Sequence, residues 1–420
     1  MFILKHEFWR LALVFVLGLL ATSSFAESAN YSPVVAEHKL TFPYDYGAHP
    51  DFRLEWWYAT GWLETPDKKP LGFQITFFRT ATGRNQDNPS RFAAKQLIVA
   101  HVALSDPSVG KLLHEEKTMR EGFGLAYAKE GDTDVRLDDW YLVRESDGRY
   151  EVDMQARDFG LTLSLIPKQM MMRQGDDGFS RKGPKQAQAS YYYSEPHLQV
   201  NGIVTRNGKP VTVSGSAWLD HEWSSEILDP DAVGWDWVGA NLDDGSALMA
   251  FQIRHKDGGK LWAYGTLRDV AGHVIQFEPD QVDFTPLRTW QSPHTGAHYP
   301  VEMHLRAGKI EWQLIPLFDD QELDSRQSIG SAYWEGAVTL TRDGQPAGRG
   351  PVGSSRNPFD QSPDHPHPWP APGLWHCGVV ELPAVRFWRA SECAGTHRQY
   401  ARGDDVVRHK RRCFGRLQLS

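Results

Sequence analysis

Alternation of period two runs through most of the chain. Leu71-Gly72-Phe73-Gln74-Ile75-Thr76-Phe77, Leu161-Thr162-Leu163-Ser164-Leu165, Val211-Thr212-Val213-Ser214-Gly215 and Ile310-Glu311-Trp312-Gln313-Leu314 each alternate apolar with small or polar residues. Successive side chains of a strand point to opposite faces, so the pattern predicts half-buried antiparallel strands from about residue 40 to 350. Asp147-Gly148, Asn207-Gly208, Asp244-Gly245, Gly258-Gly259 and Asp343-Gly344 punctuate the strands as hairpin turns. Long amphipathic helices are hard to find. Residues 27–40 read as a loose leader, and 168–190, with Met170-Met171-Met172, as a flexible surface loop.

The pattern repeats. Trp57 precedes Gln74 in Gly72-Phe73-Gln74-Ile75, and Trp237 precedes Gln252 in Ala250-Phe251-Gln252-Ile253, with an acidic residue close to each tryptophan and a turn in between. A duplication implies two similar β domains, 41–205 and 206–350, with Trp57 and Trp237 in equivalent places.

The ends change the picture. Lys5 and Arg10, the apolar run Leu11 to Ala21 and Ser24-Phe25-Ala26 have the order of a secretory signal, cleaved near Ala26; the run is too short to span a bilayer. The expected compartment is periplasmic or extracellular. A net charge of -8 argues against a nucleic-acid partner. The three cysteines, Cys377, Cys393 and Cys413, lie in the segment 351–420, which is rich in Pro, Arg and His and lacks strand alternation. That tail is readable as a disordered extension, as a metal-binding or basic interaction tail, or as out-of-frame translation of a GC-rich gene. In the last case the second domain lacks its final strand and exposes an edge.

Candidate chemistry gathers where ionisable residues adjoin indoles: Arg53-Leu54-Glu55-Trp56-Trp57-Tyr58, Asp220-His221-Glu222-Trp223 and Gly234-Trp235-Asp236-Trp237. Taken as one strand, Val211 to Trp223 puts His221 and Trp223 on the more apolar face, with Trp218, Asp220 and Glu222 on the other. Glu55 or Asp236 is the expected carboxylate partner of His221. Such a pair either orders a core or does acid chemistry. Glu55-Trp56-Trp57-Tyr58 also reads as the plug of a barrel end. His197, His221, Glu222 and Glu226 match no known zinc spacing, Gly-x-Ser-x-Gly is missing, and no phosphate-cradling glycine loop is present. No metal or cofactor is expected.

His49-Pro50-Asp51-Phe52-Arg53-Leu54-Glu55-Trp56-Trp57-Tyr58-Ala59-Thr60-Gly61, Ala217-Trp218-Leu219-Asp220-His221-Glu222-Trp223, Gly234-Trp235-Asp236-Trp237 and Tyr333-Trp334-Glu335-Gly336-Ala337-Val338 together resemble the secreted AttH-like proteins. These are relatives of the carotenoid 1,2-hydratases (hydroxyneurosporene synthases) and are often labelled predicted secreted hydrolases. The resemblance covers about residues 38–350 and implies an all-β chain of two packed lipocalin-like barrels. It also implies a function: binding of an apolar isoprenoid or lipid, with hydration or isomerisation of a double bond. The alternatives are a non-catalytic lipid-handling partner of an ABC-type exporter, or the hydrolase of the label. His221 and Trp223 match the His-x-Trp associated with activity in the hydratases.

Hydration of an isolated double bond needs a positioned proton donor, aromatic faces to stabilise the tertiary cation, and one admitted water. His221 or a carboxyl of raised pKa would be the acid. The catalytic candidates are therefore His221, Trp223, Asp236, Tyr264 and Glu55. Trp56, Trp57, Tyr58, Trp235 and Trp237 are the ligand-binding candidates.

Overall fold

The computed structural model describes residues 31–83, 86–226 and 228–355. The expected secretory signal at 1–26 and residues 356–420 lie outside them. Apart from a 3-10 turn at Tyr44–Tyr46, the regular structure among the described residues is strand. The first thirteen strands are β1 (Leu54–Glu64), β2 (Pro70–Ala81), β3 (Gln96–Ser105), β4 (Leu112–Arg120), β5 (Ala126–Ala128), β6 (Asp134–Leu137), β7 (Trp140–Arg144), β8 (Tyr150–Gln155), β9 (Phe159–Ile166), β10 (Met172–Arg173), β11 (Phe179–Arg181), β12 (Ala189–Arg206) and β13 (Lys209–Ser224). A further ten follow: β14 (Ala232–Leu242), β15 (Ala247–His255), β16 (Lys260–Arg268), β17 (Val274–Phe277), β18 (Val282–Gln291), β19 (His298–Ala307), β20 (Ile310–Pro316), β21 (Glu322–Ser325), β22 (Ser331–Arg342) and β23 (Gln345–Ser355).

The first sheet runs β4-β3-β2-β1-β13-β12-β9-β8-β7-β6-β5 and the second β17-β16-β15-β14-β23-β22-β20-β19-β18. In both, the first strand pairs with the second and also with the last, the up-and-down connectivity of a lipocalin-like barrel. The two sheets thus share the connectivity that a repeat implies. All four alternating segments lie in strands, β2, β9, β13 and β20. Asn207-Gly208 and Asp343-Gly344 form two-residue turns, both residues with positive φ, between the paired ends Arg206/Lys209 and Arg342/Gln345. That is the hairpin geometry whose twist matches its strands.

Alternation decides where the core sits. Trp57, Ala59 and Leu63 of β1 and Val213, Ala217, Leu219 and Trp223 of β13 fill the first sheet's interior. Val238, Ala240 and Leu242 of β14 with Leu248 and Ala250 of β15 fill the second. The opposite faces are buried as well. Trp218 and Tyr192 from the first sheet meet Ala247, Met249, Phe251 and Ile253 from the second, so the two sheets pack through an apolar layer of their own.

Several expectations need correction. Membership changes sheet between Ser224 and Ala232, so β13, assigned to the second domain by a division at 205/206, pairs with β1 and β12 of the first. The leader is not loose from residue 31 onward: Val34 and Leu40 are buried, and Val35 N donates to Tyr191 Oη at 2.9 Å. Within 168–190, β10 and β11 pair with β12, and Met172, Gln174 and Gln188 are buried, although Met170 is exposed. Pro351 to Ser355 belong to β23, which pairs with β14 and β22, so the second sheet has its closing strand and exposes no edge there.

Trp57 and Trp237 are not equivalent. Trp57 points into its own sheet, whereas Trp237 faces away from its sheet toward the first. The cause is spacing: the inward-facing acid, Glu55, lies two residues before Trp57, whereas its counterpart Asp236 lies one residue before Trp237. An offset by an odd number of residues turns a side chain to the other face. What does recur inside both sheets is an acid on the first strand beside an arginine on the second: Glu55 with Arg79, and Asp236 with Arg254.

Candidate functional site

His221 and Trp223 point into the first sheet together with Glu55, as the alternation predicts. Glu55 is fully buried and is the hub. One carboxylate oxygen lies 2.7 Å from His49 Nδ1 and 3.0 Å from His221 Nε2; the other accepts from Arg79 Nε at 2.7 Å and His49 N at 2.9 Å. Arg79 further donates to Gln96 Oε1 and to the carbonyls of His49 and Phe52, which ties the segment before β1 to β2. His49 Nε2 lies 3.1 Å from Asp45 Oδ1, and His221 Nδ1 lies 3.1 Å from the Tyr193 hydroxyl. The rings are sandwiched: His49 stacks on Trp223 at 3.8 Å and 6°, and His221 on Trp57 at 4.5 Å and 20°.

These partners assign the protons. Both nitrogens of His49 face carboxylates, so both donate and the ring is an imidazolium. Burial lowers the pKa of His49, but the charges and hydrogen bonds of Glu55 and Asp45 outweigh it and the net shift is upward. Burial drives His221 down to about 4 against the pull of Glu55, so it is neutral, with its proton on Nε2. Burial alone would raise the Glu55 pKa; Arg79, His49 and His221 hold it well below the usual carboxylate range. Asp45, His49, Glu55 and Arg79 form a neutral set of four charges. Ligand atoms of His49, Glu55 and His221 lie within 4.8 Å of one another, a metal-like spacing. The guanidinium and imidazolium on the same carboxylate oppose a further cation there.

The remaining candidates lie elsewhere. Asp236 is not the partner of His221; it holds Arg254 and Ser354 inside the second sheet. Tyr264 bonds Thr266 and packs against Phe251. Trp56 is half-buried on the opposite face of β1 from Trp57. Tyr58, Trp235 and Trp237 converge at the junction of the two sheets. There the Tyr58 and Trp237 rings meet edge-on at 5.4 Å, Trp237 Nε1 donates to the Tyr192 hydroxyl at 3.3 Å, and that hydroxyl donates to Asp220 Oδ2 at 2.9 Å. At the other end the Tyr58 hydroxyl donates to Glu335. A line of contacts thus runs from Asp220 through Tyr192, Trp237 and Tyr58 to Glu335.

Both terminal carboxyls are buried. Burial raises Asp220 to about 7, against hydrogen bonds from Ser194, Trp218 and Tyr192, and raises Glu335 to about 8, against the bond from Tyr58. Glu335 is the more open of the two. Its strand partner is Gly353, whose other partner is Trp237, so the missing side chain leaves a notch between acid and indole. A Cβ built on Gly353 would meet Glu335 Oε2 at 3.5 Å and Trp235 Nε1 at 3.9 Å, ordinary contact distances. Glu335 also lines a cavity of about 10 Å³ with Thr60, Gln74 and Gly350, room for a single water. The Gln74 Oε1 atom is buried without a hydrogen-bond partner among the described residues.

Glu335 and Asp220 were quoted in the sequence only as parts of motifs. Neither displays its burial in sequence, because the elements that cover each come from both sheets. His49, Arg79 and Tyr193 were missed as partners of Glu55 and His221; the six-residue spacing of His49 and Glu55 was the one available signal.

Two lipocalin-like sheets joined through an aromatic, acidic layer define an all-β protein of two packed barrel-like units. The AttH-like family model matches residues 33–352, and the chain belongs to that family. The solved structure of a Nitrosomonas europaea protein described as an AttH is 64% identical, with a TM-score of 0.73, covering 77% of this chain and 99% of that one. Kievitone hydratase from Nectria haematococca shares the fold at 14% identity and a TM-score of 0.58, covering 80% of this chain and 98% of that one. No curated protein matches the chain in sequence.

Proposed function

We propose that the protein hydrates a methyl-branched double bond of an apolar, isoprenoid-like substrate at the junction of its two sheets, with Glu335 as the acid. The observation that carries this reading is the Gly353 notch: it admits a methyl group in ordinary contact between a carboxyl held protonated at neutral pH and the Trp235 indole, with Trp237 on the neighbouring strand position. Glu335 protonates one alkene carbon. The tertiary cation forms against the indole faces, whose quadrupoles stabilise it without a hydrogen bond. A water in the adjacent cavity, oriented by Gln74 Oε1, adds to the cation and returns its proton to Glu335. Atoms balance and the acid is regenerated.

The enclosed His221 cluster does not carry the reaction in this reading, because all its polar partners belong to the chain and its rings are covered. It positions the segment ahead of β1. The secretory signal expected at 1–26 fits an activity outside the cytoplasm, where an ABC-type permease is a fitting partner. A binder without chemistry is the competing reading, favoured by the side-chain-filled interior of the first sheet.

The test is turnover in D2O with geraniol, farnesol and squalene, which differ in length and share a methyl-branched alkene. Wild type should give an alcohol that has gained one D2O. Gly353→Ala puts its own methyl where the substrate's would sit, in ordinary contact with its neighbours, and should lower activity without lowering stability. Gly353→Leu should lose about 100-fold by displacing the alkene from the acid, with a lowered melting temperature from overpacking that costs about 1–3 kcal/mol. Binding without deuterated alcohol would establish the binder instead.

A further inference from the structure

The recurring acid–arginine pair is treated differently in the two sheets. In the first, the Arg79 guanidinium is covered: Glu55, Gln96 and the carbonyls of His49 and Phe52 take its donors, and the residue is 1% exposed. In the second, Arg254 gives one terminal nitrogen to Asp236 and the Trp235 carbonyl, and the other to Ser355. Its Nε–H has no partner among the described residues. Arg254 borders a cleft of about 520 Å³ between the β15–β16 hairpin and the β18–β19 hairpin, together with Gln252, Lys260, Asp283, Phe284 and Arg306.

The lining is cationic. Arg254, Lys260 and Arg306 face a single lining carboxylate, Asp283, which Lys260 and Arg306 share. The rim is also built rather than mobile. Lys260 Nζ donates to the Val282 carbonyl at 2.6 Å as well as to Asp283, and Arg306 donates to the carbonyls of Asp280, Gln281 and Gly308. Phe284 adds an apolar wall, and its backbone N–H is taken by Gln252 Oε1 across the seam at 3.3 Å. A desolvated guanidinium edge beside two fixed cations and an aromatic ring selects an oxyanion on an organic body.

We propose that this cleft binds a small organic anion, its carboxylate or phosphate group held at the rim by Lys260 and Arg306 with the Arg254 guanidinium behind them. The site is separate from the Gly353 notch and does not depend on the reaction proposed there. The probes are octanoate, octanol and inorganic phosphate, titrated calorimetrically into the full-length protein at low ionic strength. Octanoate should bind one to one and octanol should not. The double variant Lys260→Gln/Arg306→Gln should weaken octanoate at least ten-fold while its melting temperature shows that it folds. Gly353→Leu should bind octanoate as wild type does. Phosphate that displaces octanoate supports the site and assigns it to free phosphate if it binds the tighter. The proposal is overturned if octanol binds as well as octanoate, if the double variant binds unchanged, or if neither anion binds.

Discussion

Glu55→Gln is expected to lower stability by about 3–5 kcal/mol, the cost of leaving buried charge uncompensated. The substitution keeps the shape of the side chain and removes its charge. Arg79 and the His49 imidazolium then face each other across a neutral amide in a site where Glu55 is fully buried and Arg79 nearly so. His221 Nε2–H keeps an acceptor, so the loss reports the charges rather than the histidine. Against a total stability of typically ~5–15 kcal/mol, the change is large. Chemical denaturation measures it. Arg79→Met should cost a similar amount, and the double variant clearly less than the sum, because the two residues act as a unit. A Glu55→Gln protein within about 0.5 kcal/mol of wild type would mean the network does not hold the segment ahead of β1.

Glu335→Gln is expected to remove turnover by a factor of ~10²–10⁴, the usual contribution of a positioned acid. The same variant carries a stability signature that needs no substrate. The Glu335 pKa is raised from 4.5 to about 8. Folded and unfolded chains both hold that proton below the unfolded value, so its contribution is fully present there. It is lost as pH rises through about 8, because the unfolded state ionises first. Asp220, raised from 3.8 to about 7, and Glu195, raised from 4.5 to about 7 beneath the Tyr150 hydroxyl, act in the same direction. Glu55 acts in the opposite one: its pKa is lowered, so its contribution is present above the unfolded value and lost as pH falls. These three carboxyls should therefore cost the wild type stability as pH rises from about 4.5 to about 8, and Glu335→Gln should flatten part of that slope. An unchanged slope would show that the Glu335 carboxyl titrates normally.

Strand positions were legible because alternation survives wherever one face meets a core. The faces of β13 followed from it, and with them the inward aim of His221 and Trp223. Its limit appears at Trp57 and Trp237. Similar words around two tryptophans concealed an offset that sends them to opposite faces, and both faces are buried, so polarity gave no warning. Glu55 and Asp236 could not be separated as partners of His221 because pairing between β1 and β13 is a long-range choice. Glu335 looks like one more strand acid until β1 lies over it.

In both sheets the first strand waits for the last. Glu55 meets His221 across 166 residues, and Asp236 meets Ser354 across 118. Contact order this high makes closure slow relative to the local hairpins. During that wait β14 and β23 each present a bare edge, because the Asp343-Gly344 turn has already paired β23 with β22. Unpaired edges of this kind recruit other strands. The best-fitting stranger for the β14 edge is the β22–β23 hairpin of another copy, which carries the right register in residues 345–355. Crowded refolding should therefore yield strand-exchanged dimers before it yields disordered aggregate, with dilution restoring the monomer.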